Sequence, residues 1–532
     1  MKKIILTISA LVLVSSAVFS QEQLDAYRMA QTDLFGTARY MSMGGAFGAL
    51  GGDISVMNVN PAGLAVYRSS EFVTTLSLNS ASSESNWEEL KATGSRTRLY
   101  FDNIAYVTYF PTSSDEGLLG WNVGFSYNRV KNFNKSYSLR GNANSLYSLS
   151  DYMAERAYGI NVNDLKITSG YDPYSSKDVN DWLSVLGYDA GYFESYKDNN
   201  KKYYSAFGEN DGSGKWNPYQ LKVAELNVNE WGGIDQYDIA FGLNISNKLM
   251  LGATVAITDI SYHYTSYYTE DFVNANYLKL DNWLDTEGTG YGFNIGAIAQ
   301  PVDFFRLGVA YNSPTWYKAV DYYRATATAD SHFWNEKYTS DTPGNASTEY
   351  EFRSPDRWIF SGAVILGRTA LLSVDYELTN YKNMKLYDVY NDGGVSENQY
   401  SNTTIRDNFG NAGTLRVGAE VKVTPQFAVR AGAAWIGNPM KSALTNATEE
   451  VKTVGTIPHY TIEKSLSNYT IGLGYRFTPS VYLDLACILR SQKEDLYVFS
   501  KIFDNGELIT DSKPASLKTN TTRVALTFGY KF

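Results

Sequence analysis

Few side chains in this sequence are of the types that perform catalysis or bind metals. Among 532 residues there are three histidines, His263, His332 and His459, and one cysteine, Cys487. A hydrolase needs a base beside a nucleophile, or two carboxylates that share a site. The histidines stand far apart without a recognisable arrangement, and no Cys/His spacing is typical of zinc. The sequence therefore predicts no catalytic residue, no metal and no cofactor, although folding could still bring Ser or Asp beside a histidine.

A glycine-rich run precedes a rigid corner near the start of the chain. The run GGAFGALGGD covers residues 44–53 and lacks the Lys-Ser/Thr ending of a phosphate-binding loop. Glycine permits positive φ and close approach of backbones, whereas Pro61 fixes its own φ and holds Asn60 extended. The Asn60 side chain can bond local amides, as Asn does in turns. This order predicts a flexible segment ended by a stiff corner that leads into the first strand.

The first twenty residues, MKKIILTISALVLVSSAVFS, combine two lysines, a short apolar run and an end of small residues. This is the pattern of a secretory signal peptide, because the apolar run is too short to span a bilayer. Cleavage after Ser20 would leave Gln21 as the first residue. The net charge of −10 argues against nucleic acid as a partner, and a single cysteine allows no internal disulfide.

Alternation of apolar and polar residues indicates β-strands along most of the chain. In the last segment one face carries Val524, Leu526, Phe528, Tyr530 and Phe532, and the other face is small or charged. Similar alternation recurs in about fourteen segments, and an even number is typical of bacterial barrels. A chain without membrane helices can cross a bilayer only as a closed barrel, since lipid offers the backbone no hydrogen bonds. We therefore predict an all-β, transmembrane antiparallel β-barrel of about fourteen strands in the cell outer membrane.

The segments divide the chain into three parts. Residues 1–20 are assigned to the signal peptide, residues 21–68 to an N-terminal hatch (plug) in the barrel lumen, and residues 69–532 to the barrel. The residues before the first strand are too apolar for a free tail, and the lumen is the nearest place to bury them. The longest insertion, residues 141–233, is expected to be extracellular and to contain short helices. Cys487 is expected to face lipid as a small apolar side chain.

This arrangement resembles the FadL/TodX family of outer-membrane transporters for long-chain fatty acids and other hydrophobic compounds. The residues that carry the resemblance are GTAR at 36–39, GGAF at 44–47, Asp53 and NPAGLA at 60–65. Elsewhere the likeness is one of architecture. The resemblance implies a fourteen-stranded barrel closed by a hatch. It gives the hatch-motif role to a set of five residues: Asn60, Pro61, Ala62, Gly63 and Asp53.

The resemblance also implies that ligand leaves sideways into the membrane at an inward-kinked third strand. That strand would be residues 118–140, in which Gly120 and Gly124 would permit the kink. The alternative is that these glycines make room for the hatch. The resemblance further implies that the protein is a passive transporter rather than an enzyme. Hatch rearrangement would be followed by lateral release of the ligand.

The expected ligand is a hydrophobic small molecule of the fatty-acid type. Hatch side chains would wall its pocket and a lumenal arginine would pair with a carboxylate. The residues proposed for these contacts are Phe35, Met41, Met43, Phe47, Arg416, Arg430 and Arg476. The arginines have an alternative role, which is to anchor the hatch through acidic side chains. Further expected partners are outer-membrane lipid and the barrel-assembly machinery, since the C-terminal Phe532 resembles an assembly signal; the protein is expected to be a monomer.

Three other functions fit parts of the sequence. A haem or other hydrophobic-ligand receptor would need a His, Met, Cys or Tyr ligand, but each histidine is better explained as a surface or girdle residue. A non-selective porin would have a polar, open lumen, against which the apolar hatch argues. A surface adhesin or assembly scaffold would use the long loops to bind protein. Loop length and tyrosine content leave the substrate open.

Overall fold

The computed structural model of the protein describes residues 22–532 except 143–146, 176–180, 211–215, 335, 345, 368, 391 and 505. The signal peptide assigned to residues 1–20 lies outside the described residues. In the part of the chain that is described, no helix is long and apolar enough to cross a membrane.

Fourteen antiparallel strands form one closed barrel. The first strand pairs with the second and also with the last, and this last pairing closes the sheet. In chain order the strands are β1 Glu71–Trp87, β2 Leu90–Pro111, β3 Leu118–Asn132 with the extension Lys135–Asn142, β4 Leu221–Ile245, β5 Leu249–Phe272, β6 Tyr277–Val302, β7 Phe305–Asn312 and Trp316–Ser331, β8 Ala346–Arg353 and Arg357–Leu366, β9 Ala370–Asn380, β10 Asn411–Lys422, β11 Phe427–Ile436, β12 Tyr460–Arg476, β13 Val481–Tyr497 and β14 Ala515–Lys531. The predicted fold class and strand number are confirmed.

The outer wall of the barrel is apolar over a band that matches a bilayer. On β5 the outward-facing residues Leu249, Leu251, Val255 and Ile257 are exposed, whereas alternate residues such as Thr254 are buried. Leu249 to Ile257 are nine residues, and nine residues of a tilted strand span about the thickness of the hydrocarbon core of a bilayer. The alternation read from the last segment holds as well, because Val524, Leu526, Phe528 and Tyr530 lie exposed on the outer face of β14 and Phe532, directly after the strand, is also exposed.

The two ends of the barrel are built differently. Short turns join strands at one end, as at Ser246 and Asn247, which have φ of 53° and 57°. The other end carries the long connections, with their own short elements. The remaining helices and strands there are α3 Leu149–Arg156, α4 Val162–Leu165, Pro173–Ser175 (3-10), α5 Trp182–Asp189, Phe193–Tyr196, Asn199–Ser205, Gly208–Asn210, Trp216–Pro218, Val273–Ala275 (3-10), Glu336–Asp341, Tyr381–Asn383 (3-10), Lys385–Val389, Val395–Glu397, α6 Gln399–Asn408, α7 Ser442–Thr445, Ile502–Asp504 and Glu507–Thr510.

The insertion between β3 and β4 packs onto the long-loop end of the barrel. Its helices α3 and α5 overlap the segments DYMAERAYGI and DWLSVLGYDAGYF. Tyr152 of α3, Leu186 of α5 and Phe193 of the strand that follows α5 are buried in the largest hydrophobic cluster. The junction with the wall is polar, since Glu270 on β5 accepts hydrogen bonds from Ser148 Oγ at 2.5 Å and from the Leu149 amide at 2.8 Å. The insertion is thus a folded part of the molecule.

The segment before β1, residues 22–70, lies inside the barrel and forms the hatch. It contains the helices α1 (Gln23–Ala30) and α2 (Ala38–Ser42) and two 3-10 helices, Ile54–Asn58 and Pro61–Val66. Its apolar side chains pack against inward-facing residues of the strands, as predicted from their need for burial. The hatch therefore closes the lumen of the barrel.

Candidate functional site

The Asn-Pro-Ala corner is held at the barrel wall by the side chain of Asn60. Its Oδ1 accepts a hydrogen bond from the Ala62 amide at 3.2 Å and so caps the 3-10 helix that begins at Pro61. Its Nδ2 donates to the carbonyl of Gly48 at 2.6 Å and to that of Ala297 on β6 at 3.2 Å. One side chain therefore joins the glycine-rich run, the corner and the wall, which explains why a stiff turn follows a flexible run.

Two glycines of the barrel wall lie directly against this corner. A Cβ built on Gly252 of β5 would lie 2.2 Å from the carbonyl carbon of Pro61, and one on Gly296 of β6 would lie 2.0 Å from Asn60 Oδ1. Only glycine allows the hatch backbone to approach the strands so closely. Sequence reasoning missed these two glycines, although their inward positions on neighbouring strands were a usable signal.

Asp53 fixes the fold of the hatch from within. The carboxylate accepts hydrogen bonds from the Ser55 amide at 3.0 Å and from Thr37 Oγ1 at 2.7 Å. Gly63 lies against Gly51, where an added Cβ would meet its Cα at 2.9 Å. Asp53, Asn60, Pro61, Ala62 and Gly63, the five residues of the sequence motif, are thus brought together as one structural unit.

A second group of residues, called the latch, ties the hatch to the wall by charge. Arg39 Nε donates to Glu420 Oε2 on β10 at 2.9 Å, and Arg430 Nε on β11 donates to the same oxygen at 2.6 Å. Arg430 Nη1 also donates to Asp484 Oδ1 on β13 at 2.6 Å. Buried charges of this kind are retained only when they are paired. Arg430 is therefore paired with Glu420, the carboxylate that also binds Arg39, and with Asp484.

Replacement of Arg39 by alanine is expected to loosen the hatch. The change leaves Glu420 short of one of two partners in a largely buried site, which costs about 1–3 kcal/mol. Hydrogen exchange of the amides in residues 37–66 should accelerate accordingly. The matched control is Lys91→Ala, because the Lys91–Glu84 pair is exposed, with side-chain exposures of 66% and 54%; exposed pairs contribute little. Equal exchange in the two variants would contradict the anchoring role.

Asp33 is an anchor that the sequence did not reveal. Its carboxylate pairs with Arg490 on β13 and with Lys131 on β3, the latter at 3.5 Å, and accepts the Asn132 amide at 3.0 Å. Burial alone would raise the pKa of Asp33, but Arg490 and Lys131 together hold that pKa below its ordinary range. A charged Asp33 thus connects the hatch to two strands.

The other predicted ligand contacts lie in separate places. Arg416 donates to Glu377 Oε2 at 2.9 Å inside the lumen, whereas Arg476 is exposed at the short-turn end. Phe35 packs under the guanidinium of Arg523, whose Cζ is 3.6 Å from the ring centroid. The remaining three, Met41, Met43 and Phe47, are fully buried between the hatch and the wall. A ligand would reach those three only after the hatch moves.

Two polar cavities flank the hatch. One, of about 150 Å³, lies on the side of the long loops and is lined by charged residues that include Arg28, Lys131 and Glu463. The other, of about 170 Å³, lies at the short-turn end beside the latch and includes Arg39 and Arg476. Hatch residues line both cavities.

The boundary between β2 and β3 is only partly hydrogen-bonded. Pairing runs from Asn103 opposite Asn128 to Pro111 opposite Gly120. Beyond it, residues 90–102 of β2 pair with β1, and the β3 extension pairs with β4. That extension turns inwards over the first two strands, where Ser85 Oγ donates to the Ser138 carbonyl at 2.6 Å. The unpaired stretch is called the seam.

The last paired residues beside the seam form a polar cluster in contact with the hatch. Asn103 Nδ2 donates to Asn128 Oδ1 at 2.5 Å, and Asn128 Nδ2 donates to Asp238 Oδ2 on β4 at 3.1 Å. Asn58 of the hatch, oriented with its amide nitrogen towards the carboxylate, donates to the same Asp238 oxygen at 2.9 Å. A chain of hydrogen bonds therefore joins the hatch to the end of the seam.

An apolar depression of about 460 Å³ lies on the outer wall just below the seam. Phe125 and Tyr127 of β3, Ile104 and Tyr106 of β2, and Ile239 of β4 line it. Ile104 and Tyr106 are the direct cross-strand partners of Tyr127 and Phe125. The depression is thus built on the last paired residues of the β2–β3 boundary.

Gly120 and Gly124 lie on the paired side of the seam. Each is hydrogen-bond partnered with both neighbouring strands, and the two strands separate only past Asn128. A Cβ on Gly124 would meet the Met57 sulfur of the hatch at 2.9 Å. This contact favours the alternative given above, that the glycine makes room for the hatch.

Among the described residues, no group of three or more His, Cys, Asp or Glu side chains is arranged so that it could hold a metal ion. His459 is buried and its Nδ1 lies 2.7 Å from the Val498 carbonyl. His332 Nδ1 lies 2.8 Å from Asn276 Oδ1.

Comparison with known proteins agrees with this architecture. A family model described as outer membrane protein transport protein (OMPP1/FadL/TodX) matches residues 233–532. The chain belongs to this family. As a FadL/TodX-type chain it is an outer-membrane transport protein, and the residue-level likeness of the hatch lies outside the matched range.

Two solved structures each match 94% of this chain. A Pseudomonas aeruginosa FadL homologue superimposes with a TM-score of 0.51 at 14% identity, covering 94% of this chain and 99% of that one. The Pseudomonas putida toluene transporter TodX gives a TM-score of 0.50 at 12% identity, covering 94% and 99%. At these identities the likeness establishes the fold. No curated protein matches the sequence.

Proposed function

We propose that the protein carries hydrophobic small molecules, of the long-chain fatty-acid type, passively across the outer membrane. The observation that carries the proposal is the seam, which stands beside an apolar depression and is linked to the hatch through Asn58 and Asp238. The structural relative TodX is a transporter of toluene, another hydrophobic compound. We also propose that residues 1–20 are a signal peptide and that the insertion over residues 141–233 is extracellular.

Release is proposed to be lateral and coupled to the hatch. Movement of the 3-10 helix that ends at Asn58 would withdraw one hydrogen-bond donor from Asp238, which also accepts from Ser126 at 2.9 Å and from Asn128 at 3.1 Å. The Asn103–Asn128 pair would then lose its support, and the last paired residues would part. An apolar ligand would pass through the opening into the depression, because burial of each CH₂ group contributes about 0.8 kcal/mol.

The test is mass spectrometry of the compounds that co-purify with the protein from outer membranes. The comparison variant carries Asn60→Ala, Pro61→Gly and Ala62→Gly in the corner. We expect a stoichiometric hydrophobic compound with the unmodified protein and its loss from the variant. If both proteins carry the same bulk membrane lipid, the transport proposal fails, and a porin or a protein-binding barrel becomes the better explanation.

A further inference from the structure

Ser261, His263 and Asp285 form a hydrogen-bonded chain on the outer wall of the barrel. Ser261 and His263 are two residues apart on β5, so both side chains leave the strand on its outer face. Asp285 on β6 is the cross-strand partner of His263. Ser261 Oγ lies 3.1 Å from His263 Nε2, and His263 Nδ1 lies 2.5 Å from Asp285 Oδ1. The fold thus creates the arrangement of base and nucleophile that was absent from the linear sequence.

The imidazole is fixed from both sides. Asp285 accepts the proton of Nδ1, which leaves Nε2 to accept the proton of the Ser261 hydroxyl. On β4 the cross-strand partner of His263 is Trp231, whose indole stacks on the imidazole with ring centroids 5.1 Å apart and planes at 17°. The side chains of His263 and Asp285 are 28% and 52% exposed, so the group can be reached from outside. Geometry, tautomer and access all suit a nucleophilic serine.

A cation lies one strand away from Ser261. Gly233 on β4 is the cross-strand partner of Ser261, and a Cβ built on Gly233 would lie 3.2 Å from Arg129 Nε. Asp235 holds this guanidinium through two hydrogen bonds, at 2.9 and 3.0 Å. Ser261 therefore lies between Gly233, which Arg129 covers, and Glu287, its cross-strand partner on β6.

The height of the group on the barrel indicates the substrate. The last outward-facing apolar row consists of Tyr237, Ile257 and Tyr291, which are cross-strand partners. Ser261 is four residues beyond Ile257 towards the long-loop end, which is about 9 Å at about 3.3 Å per residue and a tilt of about 45°. This is the headgroup layer of a bilayer, where the ester bonds of membrane amphiphiles lie.

We propose that Ser261, His263 and Asp285 are an acyl-ester hydrolase site that acts on amphiphilic esters at the membrane surface. Ser261 Oγ attacks the carbonyl carbon while its proton passes to His263 Nε2, and negative charge develops on the carbonyl oxygen. The C–O bond of the ester then breaks, and the leaving alcohol takes the proton from Nε2. Water attacks the acyl-serine, gives its proton to Nε2, and releases the carboxylic acid as Ser261 regains its proton. Asp285 is a positioning residue that acts through the imidazole.

The test uses the purified, detergent-folded barrel with a p-nitrophenyl acyl ester and with a fluorophosphonate probe. We expect hydrolysis and covalent labelling of the peptide that contains Ser261. Ser261→Ala should abolish labelling, and both Ser261→Ala and His263→Ala should lower hydrolysis about 100-fold or more. Asp285→Asn should lower kcat with little change in KM, and Asp285→Glu should restore part of it. The matched control is Ser80→Ala, an outward-facing serine of β1 whose hydroxyl is bonded to Thr97 Oγ1 at 2.9 Å.

Two results would overturn the proposal. One is a folded barrel that neither hydrolyses the ester nor reacts with the probe; the other is equal activity in Ser261→Ala and Ser80→Ala. Folding of each variant is checked by circular dichroism, and His263→Gln provides a second substitution of the base if His263→Ala does not fold. Ser261 lies outside the lumen, so Ser261→Ala should leave uptake of hydrophobic compounds unchanged. The hydrolase and transport proposals can therefore fail separately.

Discussion

A disulfide across the last paired residues beside the seam should stop uptake of a hydrophobic compound, and a reductant should restore it. The variant carries Asn103→Cys and Asn128→Cys, with Cys487→Ser to remove the native thiol. Directly opposite residues on antiparallel strands have Cα atoms close enough for a disulfide. The bond would keep β2 and β3 paired, so an exit that needs them to part is closed. We expect the oxidised protein to be slower by about tenfold or more, or about 1.4 kcal/mol in the barrier.

The matched control places a disulfide away from the seam. Ser83 and Thr519 are also inward-facing cross-strand partners whose hydroxyls are hydrogen-bonded, at 3.2 Å, but they join β1 to β14. The oxidised Ser83→Cys, Thr519→Cys protein should transport at the normal rate. Undiminished uptake by the oxidised seam variant would rule out lateral release at this boundary. A loss common to both pairs would show that the barrel must flex as a whole.

A single methyl group on Gly252 should displace the hatch. The added Cβ of Gly252→Ala would lie 2.2 Å from the Pro61 carbonyl carbon and 2.3 Å from the Ala62 nitrogen. These are backbone atoms, so no side-chain rotation relieves the clash, and overpacking of this kind costs about 1–3 kcal/mol. We expect higher ion conductance in planar bilayers and faster proteolysis of residues 22–70.

Gly362→Ala is the control for that change. Gly362 also lies within a barrel strand, β8, but a Cβ there would meet nothing within 4 Å. Its conductance and proteolysis should match those of the unmodified protein. If Gly252→Ala behaves like Gly362→Ala, the hatch does not depend on the glycine surface, and the docking of the Asn-Pro-Ala corner is not what holds it.

Much of the fold was predictable because its signals are periodic. Alternation along β14 and the other strands fixes which side chains face lipid, and the short turn at Ser246 and Asn247 marks one end of the barrel. The apolar content of the residues before β1 predicted that they must be buried, and most of their apolar side chains in residues 22–70 are. These features depend on local sequence and on the solvent, which in a bilayer leaves few alternatives.

The site was less predictable because it depends on pairing between distant strands. The role of Arg430 depends on Glu420 and Asp484, which lie on neighbouring strands. Asp33 gave no local signal, since its partners on β3 and β13 come together only in the closed barrel. The register that places Asp285 opposite His263 is likewise a property of the sheet. The face of the sheet on which a side chain lies can be read from the sequence of one strand. Its cross-strand partners can be identified only when the register between the strands is known.

This barrel is expected to admit hydrophobic molecules and to exclude hydrophilic ones. The most direct measurement compares uptake of a radiolabelled long-chain fatty acid with uptake of a radiolabelled disaccharide. Both are measured in outer-membrane-bearing cells with and without the protein. We expect the protein to accelerate entry of the fatty acid and to leave entry of the sugar unchanged, because the buried hatch blocks a water-filled passage. Accelerated entry of the sugar without the fatty acid would contradict this expectation and identify a porin.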